Sequence, residues 1–193
     1  MAYVKHDVMK VSTAYFFFKE GAGDAAAPPV AKLGDIAAIE ALDYRHIGHT
    51  SIEQAVEVET EGGEIETSGT LQVPDMFSDQ TPTTKHYIVK VVQWDTANLK
   101  LAYGANAVTR ADGSIGQNIF PTAVTGAFLM VVVTPSAPVY LHAPLAEVRA
   151  TKDLGSLGGR GSFGELPLRI TPKLMAGQSA KTFTLPLDKA TGA

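Results

Sequence analysis

The chain has 193 residues, 45% of them apolar and 19% charged, which suits one domain with a real core and excludes a disordered polyelectrolyte. Its longest apolar run, Ala127–Val133, falls far short of the ~20 residues that a spanning helix needs and reads as a buried strand. With no cysteine, a disulfide framework, a thiolate nucleophile and a cysteine metal site are all excluded.

The apolar patch near Ala14–Phe18 is hemmed by Lys10 and by Lys19-Glu20, so a signal peptide is not expected and the protein reads as made and kept inside the cell. The net charge of −4 hides an asymmetry. Between Arg45 and Lys85 there is no Lys or Arg, but there are eight acids: Glu53, Glu57, Glu59, Glu61, Glu64, Glu66, Asp75 and Asp79. The rest of the chain sets 16 bases against 12 acids. Such a split concerns a partner or a field more than the fold. It also argues against binding nucleic acid by phosphate neutralisation, which needs a basic surface.

Apolar and β-branched runs recur about every ten to twenty residues between Gly, Pro, Asn and Asp. In chain order, strands are expected at 8–19, 53–60, 64–73, 84–93, 125–134, 139–142 or slightly beyond, 166–172 and 182–187. A turn of helix is expected at Ile36–Leu42. A short helix is expected through Tyr103, with Asp95 as N-cap and Gly104 at its left-handed end. Strands and helices do not alternate, so the expected class is mainly β with one short helix laid on it, not a doubly wound α/β sheet. One domain spans residues 1–193, with terminal arms and loose loops at 21–34, 110–121 and 152–164. The last of these has five glycines between Gly155 and Gly164. Compact monomers rarely carry several such loops, so they are expected to move or to order against other chains.

Gly62-Gly63 reads as a two-residue hairpin loop joining VEVETE to EIETSG. Glu61 then faces Glu64 and Glu59 faces Glu66, at a cost of a few tenths to ~1 kcal/mol per like-charged pair. Either this is a solvated face with Val56, Val58, Ile65 and Leu71 packed inward, or it is an acidic wall beside a polyanion that must not stick.

Enzymatic readings are weaker. His46-Ile-Gly-His49 is the HIGH string of nucleotidyltransferases. That chemistry needs an α/β crossover, and the strongly acidic forty-residue window that follows would repel phosphate. His46 and His49 lack further ligands at metal spacing among His6, His86 and His142. The run Gly158-Gly-Arg-Gly161 has no Gly-Lys-Ser/Thr ending and is not a phosphate loop. No Gly-x-Ser-x-Gly elbow occurs, and the paired carboxylates lack the aromatic cleft of a glycosidase. No catalytic, cofactor or metal site is assigned.

Tyr44-Arg-His-Ile-Gly-His-Thr-Ser-Ile-Glu53, the Glu-Gly-Gly-Glu64 turn, Gly69-Thr-Leu-Gln72 and Val91-Val-Gln-Trp-Asp-Thr-Ala-Asn-Leu-Lys-Leu-Ala-Tyr-Gly104 resemble the major tail tube proteins of long, non-contractile-tailed bacteriophages, especially those of actinobacterial hosts. The likeness covers roughly residues 44–107, about a third of the chain. It implies a β-sandwich or half-barrel subunit flanked by a helix, closing into hexameric rings that stack into a tube. The implied partners are other copies of the chain, the tape-measure protein, the tail terminator and the tail-tip proteins. Assembly would occur in the host cytoplasm, and DNA would transit an acidic lumen without specific binding, screened over ~8–10 Å at physiological salt. On this reading Glu57, Glu59, Glu64 and Glu66 line the channel. A competing placement puts them at the ring–ring junction, against Arg110, Lys152 or Arg160 of the next ring. Other ring-forming components, such as a tail terminator or the tube of a contractile machine, fit the same residues.

Overall fold

The computed structural model describes residues 11–21, 26–51, 56–71, 73, 76–104, 107–116, 122–135, 138–152, 162–175, 177 and 179–183. Twelve strands are described among them: β1 (Thr13–Glu20), β2 (Arg45–His46), β3 (Val56–Glu61), β4 (Ile65–Ser68), β5 (Phe77–Gln80), β6 (Thr84–Val91), β7 (Val108–Thr109), β8 (Ile115–Gly116), β9 (Val124–Val133), β10 (Val139–Ala150), β11 (Leu166–Pro172) and β12 (Thr182–Phe183). Two short helices, α1 (Ile36–Glu40) and α2 (Thr96–Tyr103), complete the set with a single 3-10 turn at Val30–Lys32. The main sheet is antiparallel and runs β2-β1-β9-β10-β11-β6-β3, with β12 also paired to β10.

This sheet rolls back on itself. Phe17 and Phe18 of β1 pair with Arg45 and His46, and Ile47 donates its N–H to Phe16 O at 2.8 Å. Two residues later the same segment reaches β6, at the far end of the path. There Val92 N–H bonds His49 O, Ser51 N–H bonds Lys90 O, and Thr50 bridges Val91. Three residues span no more than ~11 Å, so β1 and β6 lie close together with residues 45–51 between them. The main sheet therefore curls so that β1 and β6 both pair with residues 45–51.

The period of two then decides which side chains line each face. Phe16, Phe18, Phe128, Leu141, Val148, Leu168, Ile170, Tyr87, Val89 and Ile47 point to the inner core, where Leu101, Ala102 and Tyr103 of α2 pack among them. Phe17, Leu129 and Val131 point outward and are covered by Leu33, Ile39 and Tyr44. This is why β1 reads Phe-Phe-Phe without alternation: both of its faces are buried. Each of these rings contributes about 1.5–3 kcal/mol of burial. In β10 a bulge between Ala143 and Ala146 adds one residue, which keeps both alanines on the inner face. The strand was expected to end near His142; it continues to Ala150 because the bulge restores the alternation.

Caps fix both helices. Asp35 accepts the N–H groups of Ala37 and Ala38, and Asp95 accepts that of Asn98 at 2.7 Å. Gly104 ends α2 at φ 63°, where a Cβ would lie 2.1 Å from Thr122 O. The α2 boundaries match the expectation.

The Gly62-Gly63 hairpin is corrected. β3 pairs β6, from Val56 with Val89 to Glu61 with Thr84, and β4 pairs β5, from Ile65 with Gln80 to Ser68 with Phe77. The two pairings keep one register, so residues 56–68 and 77–91 form one long ribbon whose turn lies near residues 69–76. Glu59 faces His86, and Glu66 faces Asp79. The reason is burial: β6 offers Val89 and Tyr87 to Val56 and Val58, and it lies inside the sheet, whereas Ile65–Ser68 presents a single apolar residue. Gly62 and Gly63, at φ 79° and 84°, mark the joint where the ribbon leaves the main sheet. A Cβ on Gly62 would meet Pro82 O at 2.2 Å. The inward packing expected of the hairpin's apolar residues holds only for Val56; Val58, Ile65 and Leu71 are exposed, Leu71 almost fully.

Of the expected loose loops, residues 26–34 carry the 3-10 turn and 110–116 belong to the β7–β8 hairpin. Residues 22–25, 117–121 and 153–161 lie outside the described residues, as do the outer ends of the strands expected at 8–19 and 182–187.

Candidate assembly surface

Among the described residues, no helix lies over the outward face of β3, β6, β11 and β10. Its rows follow from the register: Glu57, Ile88, Arg169 and Arg149 form one, and Glu59 and His86 begin the next. Glu61, at the end of β3, receives a hydrogen bond from Arg169, and His86 Nε2 lies 3.2 Å from its other oxygen. His86 is buried and its Nδ1 sits 2.8 Å from Thr171 Oγ1. Hydrogen bonding from Arg169 foremost, with the nearby charges of Arg169 and His86, holds the Glu61 carboxyl below its ordinary range. Lys173 pairs with Glu147 at 3.0 Å. These groups surround a polar cleft of about 270 Å³.

The base that the acidic window lacks locally therefore arrives from β11, more than a hundred residues downstream. The period-two pattern of Leu166-Pro-Leu-Arg-Ile-Thr-Pro172 held the signal, because it puts Arg169 and Thr171 on the face opposite Leu166, Leu168 and Ile170. Sequence reasoning overlooked Glu61, His86, Glu147, Arg149, Arg169 and Lys173 as a group, since pairing across four strands is not a local property.

Glu57 and Glu59 do share a face of β3. Glu66 stands on the β4–β5 ribbon opposite Asp79, and Glu64, at the joint, accepts Thr81 N–H at its backbone oxygen. All four residues of β4 and all four of β5 are exposed, Ile65 and Phe77 included. Arg110 sits in the β7–β8 turn, where its N–H bonds Ser114 O at 2.8 Å. Lys152 is exposed just past β10. Arg160 lies outside the described residues. Among the described residues, neither Arg110 nor Lys152 is ion-paired with the four glutamates.

The HIGH string serves the fold. His46 packs between Tyr15 and Phe17, with ring centroids at 5.8 and 5.1 Å, and Gly48 N–H donates to its Nδ1. Burial lowers its pKa. His49 is exposed and contributes backbone pairing. Gly48, at φ 95°, leaves room for Gln93, whose Oε1 would be 2.3 Å from a Cβ there. The fully buried Asn98 joins this segment to α2: its Nδ2 donates to Ile47 O (2.7 Å) and Gln93 O (3.0 Å), and its Oδ1 accepts from Arg45 (3.0 Å). Two of the four stretches that carry the resemblance, the ones that begin at Tyr44 and at Val91, are therefore one hydrogen-bonded unit. On the outer face Tyr44 and His142 form a buried pair at 2.8 Å. Burial pushes His142 down to about 4 and raises Tyr44.

A sequence model of the family described as phage tail tube protein matches residues 7–187. The chain belongs to that family. None of the curated proteins matches it. A tail tube protein is a structural component of the virion tail that assembles with its own kind and with other tail proteins. Its surfaces thus matter as interfaces. Among the described residues no helix is long and apolar enough to cross a membrane.

Proposed function

We propose that the chain forms hexameric rings that stack into the tail tube of a long, non-contractile-tailed phage, assembling around a tape-measure protein in the host cytoplasm. The tube then conducts DNA passively, with the tail terminator and tail-tip proteins at its ends. The observation that carries this reading is a pair of surfaces that the subunit alone leaves uncovered. Within the main sheet β3 pairs on one side only, and its ribbon extends Ile65, Met76 and Phe77 into solvent. Ring closure covers strand edges, and a second copy covers apolar side chains.

Glu57 and Glu59 face the channel on this reading. Among the described residues they have no cationic partner, while Arg169 and Lys173 on the same face are taken up by Glu61 and Glu147. Unpaired carboxylates repel a polyanion and keep it moving. Glu64 and Glu66 travel outward on the ribbon, which favours the ring junction for them.

Electron microscopy of the purified protein is expected to show rings or tubes with a central hole; monomers at every concentration would overturn the reading. Reversing charge with Glu57→Lys and Glu59→Lys is expected to leave tubes intact and to slow DNA ejection. Ejection at the unaltered rate would remove these residues from the channel wall.

A further inference from the structure

Among the described residues, two like-charged pairs stand directly across strands, and each costs its own sheet stability. One is acidic: Glu66 opposite Asp79 on the exposed ribbon. The other is basic: Arg149 opposite Arg169 on the outward face of β10 and β11. Glu61 answers Arg169 only in part, because Arg169 Nε is buried and has no hydrogen-bond partner. Arg149 is exposed and, among the described residues, has no ionic or hydrogen-bonding partner. Both arginines line the polar cleft.

Within one chain, and among the described residues, neither acid of the pair is ion-paired with either arginine. Arg149 shares its row with Glu57, and Glu66 lies nine residues further along the ribbon, beyond the Gly62-Gly63 joint.

We propose that the β4–β5 ribbon of one subunit docks on the outward face of a second copy of this chain, with Glu66 and Asp79 against Arg149. The inference rests on the tail tube reading and names the receiving surface. Charge complementarity selects the partner: the ribbon between Gly62 and Thr84 holds acids and no base, and the receiving site holds the arginine that its own subunit leaves unmatched. Phe77, at 60% exposure, shares the face of Glu66 and Asp79 on the ribbon and supplies the apolar contact that an exposed charge pair by itself does not. Glu57 and Glu59, three strands from Arg149 and so about 14 Å away, remain uncovered. The site admits this ribbon and disfavours DNA, because the incoming carboxylates neutralise the only free guanidinium of the described face.

The test is a charge-swap series on the whole chain, read by sedimentable tubes and by microscopy. Glu66→Lys with Asp79→Lys is expected to lower tube yield by about tenfold or more, the effect of ~1.4 kcal/mol per contact. Arg149→Glu is expected to do the same. All three changes together restore yield, since the swapped charges again meet between copies. Circular dichroism and thermal melting show whether each variant stays folded. The neutral pair Glu66→Gln with Asp79→Asn gives a smaller loss and serves if the lysine variant misfolds. Unchanged tubes in the folded single-site variants, or a triple variant no better than either parent, overturn the docking. Absence of rings and tubes from the unaltered protein overturns the tail tube reading instead.

Discussion

The long ribbon of residues 56–91 has a root and a tip that share one register and little else. At the root, β3 and β6 lie in the main sheet; His86, Tyr87, Ile88 and Val89 are buried, and Glu61 meets Arg169. At the tip, every residue of β4 and β5 is exposed, the apolar side chains stand in solvent, and Glu66 faces Asp79. Both carry Glu and Thr, but β4 and β5 hold one apolar residue each, against two in β3 and four in β6. The surroundings differ further. The root has β11 and the rest of the main sheet beside it, which supply both an apolar core and a base, whereas the tip has only its own partner strand among the described residues. A two-stranded ribbon by itself is marginal in water, so the tip makes sense as a surface completed by another chain.

The comparison breaks most readily at the root. Val89 is fully buried, between Val56 and Leu168. Val89→Asp buries a carboxylate among apolar groups and is expected to cost more than about 4 kcal/mol, read as the urea midpoint. A midpoint near that of the unaltered protein would show that the root is not part of the core.

Glu61→Gln sharpens the boundary between root and tip. The Glu61 carboxyl is held below its ordinary pKa, so its contribution is present above the usual carboxylate range and fades as pH falls through the lowered value. The variant is therefore expected to melt below the unaltered protein at neutral pH and to converge with it in acid. An equal deficit at all pH values would mean that packing, not charge, links Glu61 to Arg169.

The smallest effect on stability belongs to the tip. Ile65→Ser with Phe77→Ser is expected to change subunit stability by no more than about 0.5 kcal/mol, because both side chains are already in water. Tube yield is expected to fall even so. A large loss of stability in the isolated subunit would place these residues in its own core.

Legibility in the sequence followed the range of the interactions. The strand at Leu166–Pro172 and the capped helix α2 were readable to the residue, because alternation and capping are local. The ribbon's pairing was not, because Gly62-Gly63 looks like a hairpin turn until β6 competes for β3. Arg45 and Asn98 lay in the stretches that resemble the tail tube family, but their mutual hydrogen bond joins residues 53 apart. The candidate surface was half visible: the acids stood out as a window without a base, while Arg149, Arg169 and Lys173 were scattered among alternating strands.

By itself, then, the sequence determined a mainly β subunit of the tail tube family with an acidic stretch, since periodicity, caps and charge counts are properties of neighbouring residues. Only the tertiary structure decided that Glu61 is answered from β11, that residues 45–51 close the roll, and that Glu66 is left without a base. Those outcomes depend on which distant strands lie side by side, and burial of the apolar face across the whole sheet selects that arrangement.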